Sequence, residues 1–271
     1  MVSNAAIFSM AIAIIISVGT PIGLLIYFRK KYRISYKAVI VGSLTWIIFS
    51  QVLEKLLHLA VLNSTQILAY PLIFAMYGAL AAGVFEEVGR YIFYKLFLKG
   101  KTEWKDGVAF GIGHGGIEAI IIGLLMNLQL IVFALMINNG TFQLLRGKLP
   151  AAALEQLKSS VLLITPITAT LGGFERLFAI VIQIFFSMLV LYGIKQNKKI
   201  YLLLAILAHT FVDISAGLYQ AKIISNIYFI ELSIMVMAVA AYLLIIKLKY
   251  LFIKSEEEQR MAREAILEKK E

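Results

Sequence analysis

A bilayer hydrocarbon core about 30 Å thick needs about 20 apolar residues for each helical crossing, and this chain reaches that length in seven places. The runs cover roughly residues 5–28, 36–56, 68–94, 107–137, 168–194, 200–220 and 226–248. Hydrocarbon offers the backbone no hydrogen-bond partners, so such runs fold as helices that satisfy their own N–H and C=O groups. The expectation is an all-α, polytopic transmembrane bundle of about seven spans, within a range of six to eight. Residues 1–248 would form one integral membrane domain, and 249–271 a charged cytoplasmic helix or tail. The third and fourth runs exceed the span, which predicts tilt or extension beyond the membrane.

The hydrophobic share of 61% stands well above the 45–50% or so of soluble domains. Cysteine is absent, which excludes disulfides, thiolate catalysis and thiolate metal sites, and leaves His, Asp and Glu as the strong metal ligands. A net charge of +10 would point to nucleic acid in a soluble protein. Here the basic residues gather at the ends of the apolar runs, so membrane topology accounts for them and no nucleic-acid partner is implied. Arg29, Lys30, Lys31, Arg33, Lys37, Lys95, Lys99, Lys101, Lys105, Lys195, Lys198, Lys199 and the basic residues from Lys247 onward fall on one side of a seven-span chain. Lys55, Arg146, Lys148, Lys158 and Lys222 fall on the other. The asymmetry places the N-terminus outside and the C-terminus in the cytoplasm of a multi-pass cell-membrane protein. The first run, with no basic region before it, reads as an uncleaved anchor.

One long outer connection, Asn138 to about Ile167, contains the segment Leu149 to Lys158. It reads as a loop on the headgroups, with a short interfacial helix or lid as the alternative. The tail after Lys247 reads as a solvated helix in which Glu256 and Arg260 form an i,i+4 pair.

Three of the runs each carry ionisable residues four apart: Glu86 and Arg90, with Glu87; His114 and Glu118; His209 and Asp213. A charge near the bilayer centre costs about 2.5–3.5 kcal/mol on the insertion scale, so a chain that keeps several is using them. Spacings of three and four put Glu86, Glu87 and Arg90 on one broad helix face. Arg90 can hold one carboxylate ionised as a structural partner and leave the other for proton transfer. His114 and Glu118 share the i,i+4 relation of His209 and Asp213, so each histidine can be oriented by its own carboxylate or bind a metal. The segment Phe110 to Glu118 sets four glycines around His114, which invites close helix approach. Counted from the basic ends of their runs, Glu86, His114 and His209 lie about seven to nine residues deep, roughly 10–13 Å at 1.5 Å per residue.

Glu175 and Arg176 lie nearly nineteen residues above Lys195, which predicts either an outward extension of a polar cavity or a pair near the outer interface. His58 reads as interfacial, and Glu231, close to a helix end, needs no special role.

In order, the three stretches resemble the YhfC family of intramembrane proteases, related to the CAAX protease and bacteriocin-processing enzymes. The wider group is marked by a Glu-Glu pair followed by Arg, a Phe-x-x-x-His motif and a His-x-x-x-Asn or Asp motif, each on its own helix. This chain offers Glu86-Glu87 with Arg90, Phe110 with His114, and His209 with Asp213. Two residues separate Glu87 from Arg90, where the wider group has three. Glu118 and the Glu175-Arg176 pair look like features of the YhfC branch.

The resemblance implies hydrolysis of a peptide bond within the bilayer by an activated water. Glu86 and His114 would activate the water and His209 and Asp213 would polarise the carbonyl, with Glu87, Arg90 and Glu118 supporting. A metal-free glutamic mechanism is the expectation. The alternative is Zn²⁺, held by ligands that include His114 and His209. The partner would be a membrane-embedded or membrane-anchored peptide or protein in the lipid bilayer. Two other functions use the same residue types: a proton-coupled transporter, against which the lack of a visible repeat counts, and a non-catalytic peptide-binding or immunity protein on the same scaffold.

Overall fold

The structure, a computed structural model, describes residues 1–268. Residues 269–271, the end of the expected tail, lie outside the described residues. The helices are α1 (Asn4–Tyr32), α2 (Tyr36–Ser64), α3 (Pro71–Phe97), α4 (Trp104–Asn138), α5 (Ala151–Leu162), α6 (Pro166–Lys195), α7 (Ile200–Gln220) and α8 (Ile227–Glu268). Each except α5 is long and apolar enough to cross a bilayer, so the seven expected spans are present. Their starts follow local chemistry. The Ser3 and Ser35 side chains accept from the backbone of the first turns of α1 and α2, and Pro71 and Pro166 occupy the first turns of α3 and α6. At α4, Glu103 and Asp106 cap each other's backbone N–H groups reciprocally.

Helix α4 is the axis of the bundle and packs against α1, α2 and α6, while α7 lies along α3 and α8 along α6. The glycines flanking His114 explain that position. A Cβ at Gly111 would come within 2.5 Å of Ile184 Cα on α6, and one at Gly115 within 2.8 Å of Gln183 Cβ. A Cβ at Gly113 would overlap the Val39 carbonyl of α2, and one at Gly116 would meet Pro21 of α1 at 2.9 Å. Each glycine therefore admits a neighbouring helix closer than any other residue would allow. Gly83 does the same for α7, where Thr210 lies against it.

The middle of α2, Ile47–Glu54, is wound as a π-helix. The widened turn sets the Phe49 ring where a Cβ on Gly89 of α3 would stand, and buries Glu54.

Two expectations fail. The outer connection is not a bare loop, because residues 151–162 form α5, whose Leu154 and Val161 are buried. Val161 and the half-buried Leu157 pack with Ala6, Met10, Ala134 and Ala169. The tail pair also differs. Glu256 reaches Lys195 of α6 at 2.8 Å, and Arg260 instead meets Glu264 at 3.8 Å. The cause is that α8 runs unbroken past the membrane length and stays packed on α6, with Phe252 fully buried against Tyr192.

Candidate active site

On α3, Glu86, Glu87 and Arg90 are all buried, and Arg90 is the largest polar side chain with no exposure. Its guanidinium forks between the two carboxylates, Nη1 donating to Glu87 Oε1 at 2.8 Å and Nη2 to Glu86 Oε2 at 3.3 Å. One arginine thus serves both glutamates, and Nη2 also donates to the Gln183 side-chain oxygen of α6. A planar donor fork suits this arrangement where a lysine would not.

The two histidines arrive from opposite helices. His114 Nε2 lies 2.8 Å from Glu86 Oε2, and His209 Nδ1 lies 2.6 Å from Glu87 Oε1. His209 Nε2 then stands 3.5 Å from Asp213 Oδ2 and 3.9 Å from Glu86 Oε2. Each ring is seated on an aromatic face. His209 stacks on Phe186 at 4.7 Å between centroids, 9° from parallel. His114 follows Phe110 at 6.3 Å, and Phe110 stacks on Tyr94 at 4.2 Å. The Phe-x-x-x-His spacing is therefore a one-turn stack on α4. Glu86, Glu87, Arg90, His114, His209 and Asp213 are brought together.

The expected same-helix pairing of histidine with carboxylate does not dominate. His114 pairs across helices with Glu86, and its Nδ1 is buried without a partner. Glu118 turns to α6 instead, where Gln183 Nε2 donates to it at 2.8 Å and Arg176 Nη1 at 3.4 Å. For His209, the Glu87 contact is shorter than the one to Asp213. Nor is the Glu175-Arg176 pair detached from the site. Arg176 bonds Glu175 beside it and reaches Glu118, one turn outward from His114 on the long α4, so its side chain spans the depth that residue counting left open. Gln183 joins the two arginine centres, since it also donates to Glu86 Oε2 at 3.3 Å.

One donor atom each from Glu86, His114 and Glu118 lies within 4.8 Å of the other two. The histidine pair His114 and His209 is not the set gathered among the described residues.

A family model described as YhfC intramembrane metalloprotease matches residues 14–234, a range that holds every residue of this site. The chain belongs to the YhfC family. A YhfC relative from Bacillus subtilis (strain 168), described as "Uncharacterized membrane protein YhfC", is 39% identical over 258 residues, covering 93% of this chain and 100% of the relative. No solved structure matches.

The metalloprotease description of the YhfC family runs against the metal-free expectation, and the donor set is compatible with it. Two carboxylates and an imidazole, with no thiolate, suit a borderline or hard divalent cation such as Zn²⁺. A dication would also compensate Glu118, which has only a 3.4 Å contact with an arginine.

Sequence reasoning missed Gln183, Phe186 and Glu54. Gln183 had a signal, being a lone amide within the apolar run Ile182 to Phe186, where the same bilayer argument applies. Phe186 had none among so many phenylalanines. Glu54 sits at the end of the second apolar run, but α2 extends to Ser64, which draws it inside. His58 bonds Glu54 and Tyr77 and is not an isolated interfacial residue, and Glu231 is buried with one carboxylate oxygen unpaired.

Proposed function

We propose that this YhfC protein is an intramembrane endopeptidase that hydrolyses a membrane-embedded or membrane-anchored peptide. The observation that carries the reading is the 2.8 Å contact between Glu86 and His114 inside a buried polar cluster built from α3, α4 and α7. Glu87 is fully enclosed and tied to both Arg90 and His209, so it positions. Glu86 faces His114, His209 and Gln183 and is the group that removes a proton from the attacking water. Glu86 then returns that proton to the leaving amine. His114 fixes the Glu86 carboxylate. Protonated on both ring nitrogens, His209 donates Nδ1–H to Glu87 and directs Nε2–H toward the side of Glu86 and Asp213, where it would meet the oxyanion. The Phe186 stack prevents that ring from turning away.

Glu86, His114 and Glu118 would hold a divalent ion, and when bound it supplies Lewis-acid polarisation of water or the carbonyl.

The test is cleavage of a fluorogenic transmembrane peptide by purified protein in liposomes. Glu86→Gln and His114→Ala are each expected to abolish it, and activity retained in both would remove this site. Metal analysis of wild type beside His114→Ala and Glu118→Gln decides the ion. A stoichiometric metal lost in both variants supports the three-residue site, and no metal beside full activity supports the glutamic mechanism.

A further inference from the structure

The basic residues at one end of the bundle are not all alike. Lys101 and Lys105 face Asp106 and Glu103 at 3.8 and 2.7 Å, Lys195 meets Glu256 at 2.8 Å, and Lys254 meets Glu258 at 4.0 Å. Arg29 donates to the Ile34 carbonyl at 2.6 Å and so closes the turn from α1 into α2. Lys31 and Lys249 differ. Among the described residues neither pairs with a carboxylate, and both stand over one tyrosine ring.

Lys31 Nζ lies 5.4 Å from the centroid of Tyr32 and donates to the Tyr27 hydroxyl at 2.8 Å. Lys249 Nζ, arriving from α8, lies 5.3 Å from the same centroid and 4.4 Å from that of Trp104. Trp104 opens α4 and meets Tyr32 edge to face at 4.9 Å. Three helices thus bring two ammonium groups to one aromatic corner. The ring faces attract each cation, but they carry no net charge to offset the repulsion between the two. A general excess of Lys and Arg sets orientation in a membrane and would be served as well by lysines held apart. It does not account for a pair that converges. The acidic residues closest in sequence to Trp104 are committed, Glu103 to Lys105 and Asp106 to Lys101. An anion from outside the chain fits the corner.

Depth indicates which anion. Lys249 stands 22 residues after Ile227, the first residue of α8, roughly 33 Å at 1.5 Å per residue and about one hydrocarbon thickness. Tyrosine and tryptophan concentrate at that level, where headgroups begin. One turn toward the bilayer centre, the half-buried Phe28 of α1 and Ile245 of α8 supply apolar surface for an acyl chain.

We propose that Lys31, Tyr32, Trp104 and Lys249 form a binding site for the phosphate of an anionic phospholipid, seated between α1 and α8. The phosphate oxygens accept from both ammonium groups, which the rings hold in place. A zwitterionic lipid brings its own cation to the corner and gains less, so the site selects for net negative headgroups, as basic pockets between membrane helices do. None of the four residues belongs to the polar cluster of α3, α4 and α7, and the site stands apart from the peptidase reading.

Trp104 is one of two tryptophans, so the full chain with Trp46→Phe reports on this corner alone. In phosphatidylcholine vesicles at constant ionic strength, brominated phosphatidylglycerol is expected to quench it at least about threefold more, per mole of lipid, than brominated phosphatidylcholine. The ratio cancels changes in the intrinsic emission. It should fall to unity in Lys31→Gln with Lys249→Gln and persist in Lys198→Gln with Lys199→Gln, which removes the same charge from the same end of the bundle. Native mass spectra of the chain with both tryptophans give a second reading. Phosphatidylglycerol adducts should survive collision energies that strip phosphatidylcholine, and should do so only while Lys31 and Lys249 are present. No preference in the chain with all four lysines, or equal loss in the two double variants, overturns the site and leaves general charge attraction. A preference abolished by added inorganic phosphate assigns the corner to a soluble anion and overturns the lipid.

Discussion

Arg90 and Arg176 each hold two carboxylates inside the bundle, Glu86 with Glu87 and Glu118 with Glu175, yet the two centres are built to different tolerances. Arg90 is sealed at 0% exposure, and a Cβ at adjacent Gly89 would run into the Phe49 ring. Arg176 keeps 13% of its side chain open, and nothing lies within 4 Å of a Cβ built at Gly172, although a Cβ at Gly173 would meet Ala13 Cα at 2.9 Å and one at Gly123 would run into Ser17. The two centres thus differ in exposure: the sealed one holds Glu86 and Glu87 out of reach of solvent, while Glu118, bonded by Gln183 at 2.8 Å and by Arg176 at 3.4 Å, lies in the partly open one.

Four experiments would break or sharpen that contrast, in falling order. Arg90→Met strands two buried carboxylates and should destabilise by about 3–5 kcal/mol in equilibrium unfolding from mixed micelles. Adding Glu87→Gln to it should recover part of the loss. Gly113→Ala, with its Cβ driven into the Val39 carbonyl, should cost about 1–3 kcal/mol or more, while Gly172→Ala stays within about 0.5 kcal/mol by the same unfolding measurement. Equal effects at the two glycines would erase the difference in packing. Gln183→Leu removes the bridge between the centres and should cost roughly 1–3 kcal/mol; a double-mutant cycle with Arg176→Gln should show coupling. Arg176→Gln alone should cost less than Arg90→Met, roughly 1–3 kcal/mol, because Glu118 keeps its Gln183 contact and the arginine is partly open.

The span count and the membership of the central cluster were legible because both rest on the cost of polarity in hydrocarbon, which composition and spacing reveal directly. Partner choice was not legible. His114 and Glu118 share a face by spacing, but the rotation of α4 against α3 and α6 gives His114 to Glu86 and Glu118 to Gln183. That rotation is set by the glycine contacts, and sequence spacing along one helix contains no information about it. Helix α5 was read first as a loop because Leu157 and Val161 find their apolar partners only on α1, α4 and α6. Glu54 escaped because its burial depends on a π turn and on a helix longer than the apolar run that announced it. Arg90 serving both glutamates is likewise a property of its fork in three dimensions.

The contact between Glu87 and His209 joins residues 122 positions apart, and α7 is among the last segments to be made. A nascent chain ending before Ile200 already holds Glu86, Arg90 and His114 but has nothing to complete the second half of the cluster. The second half of the buried cluster is therefore closed only when the chain is nearly finished.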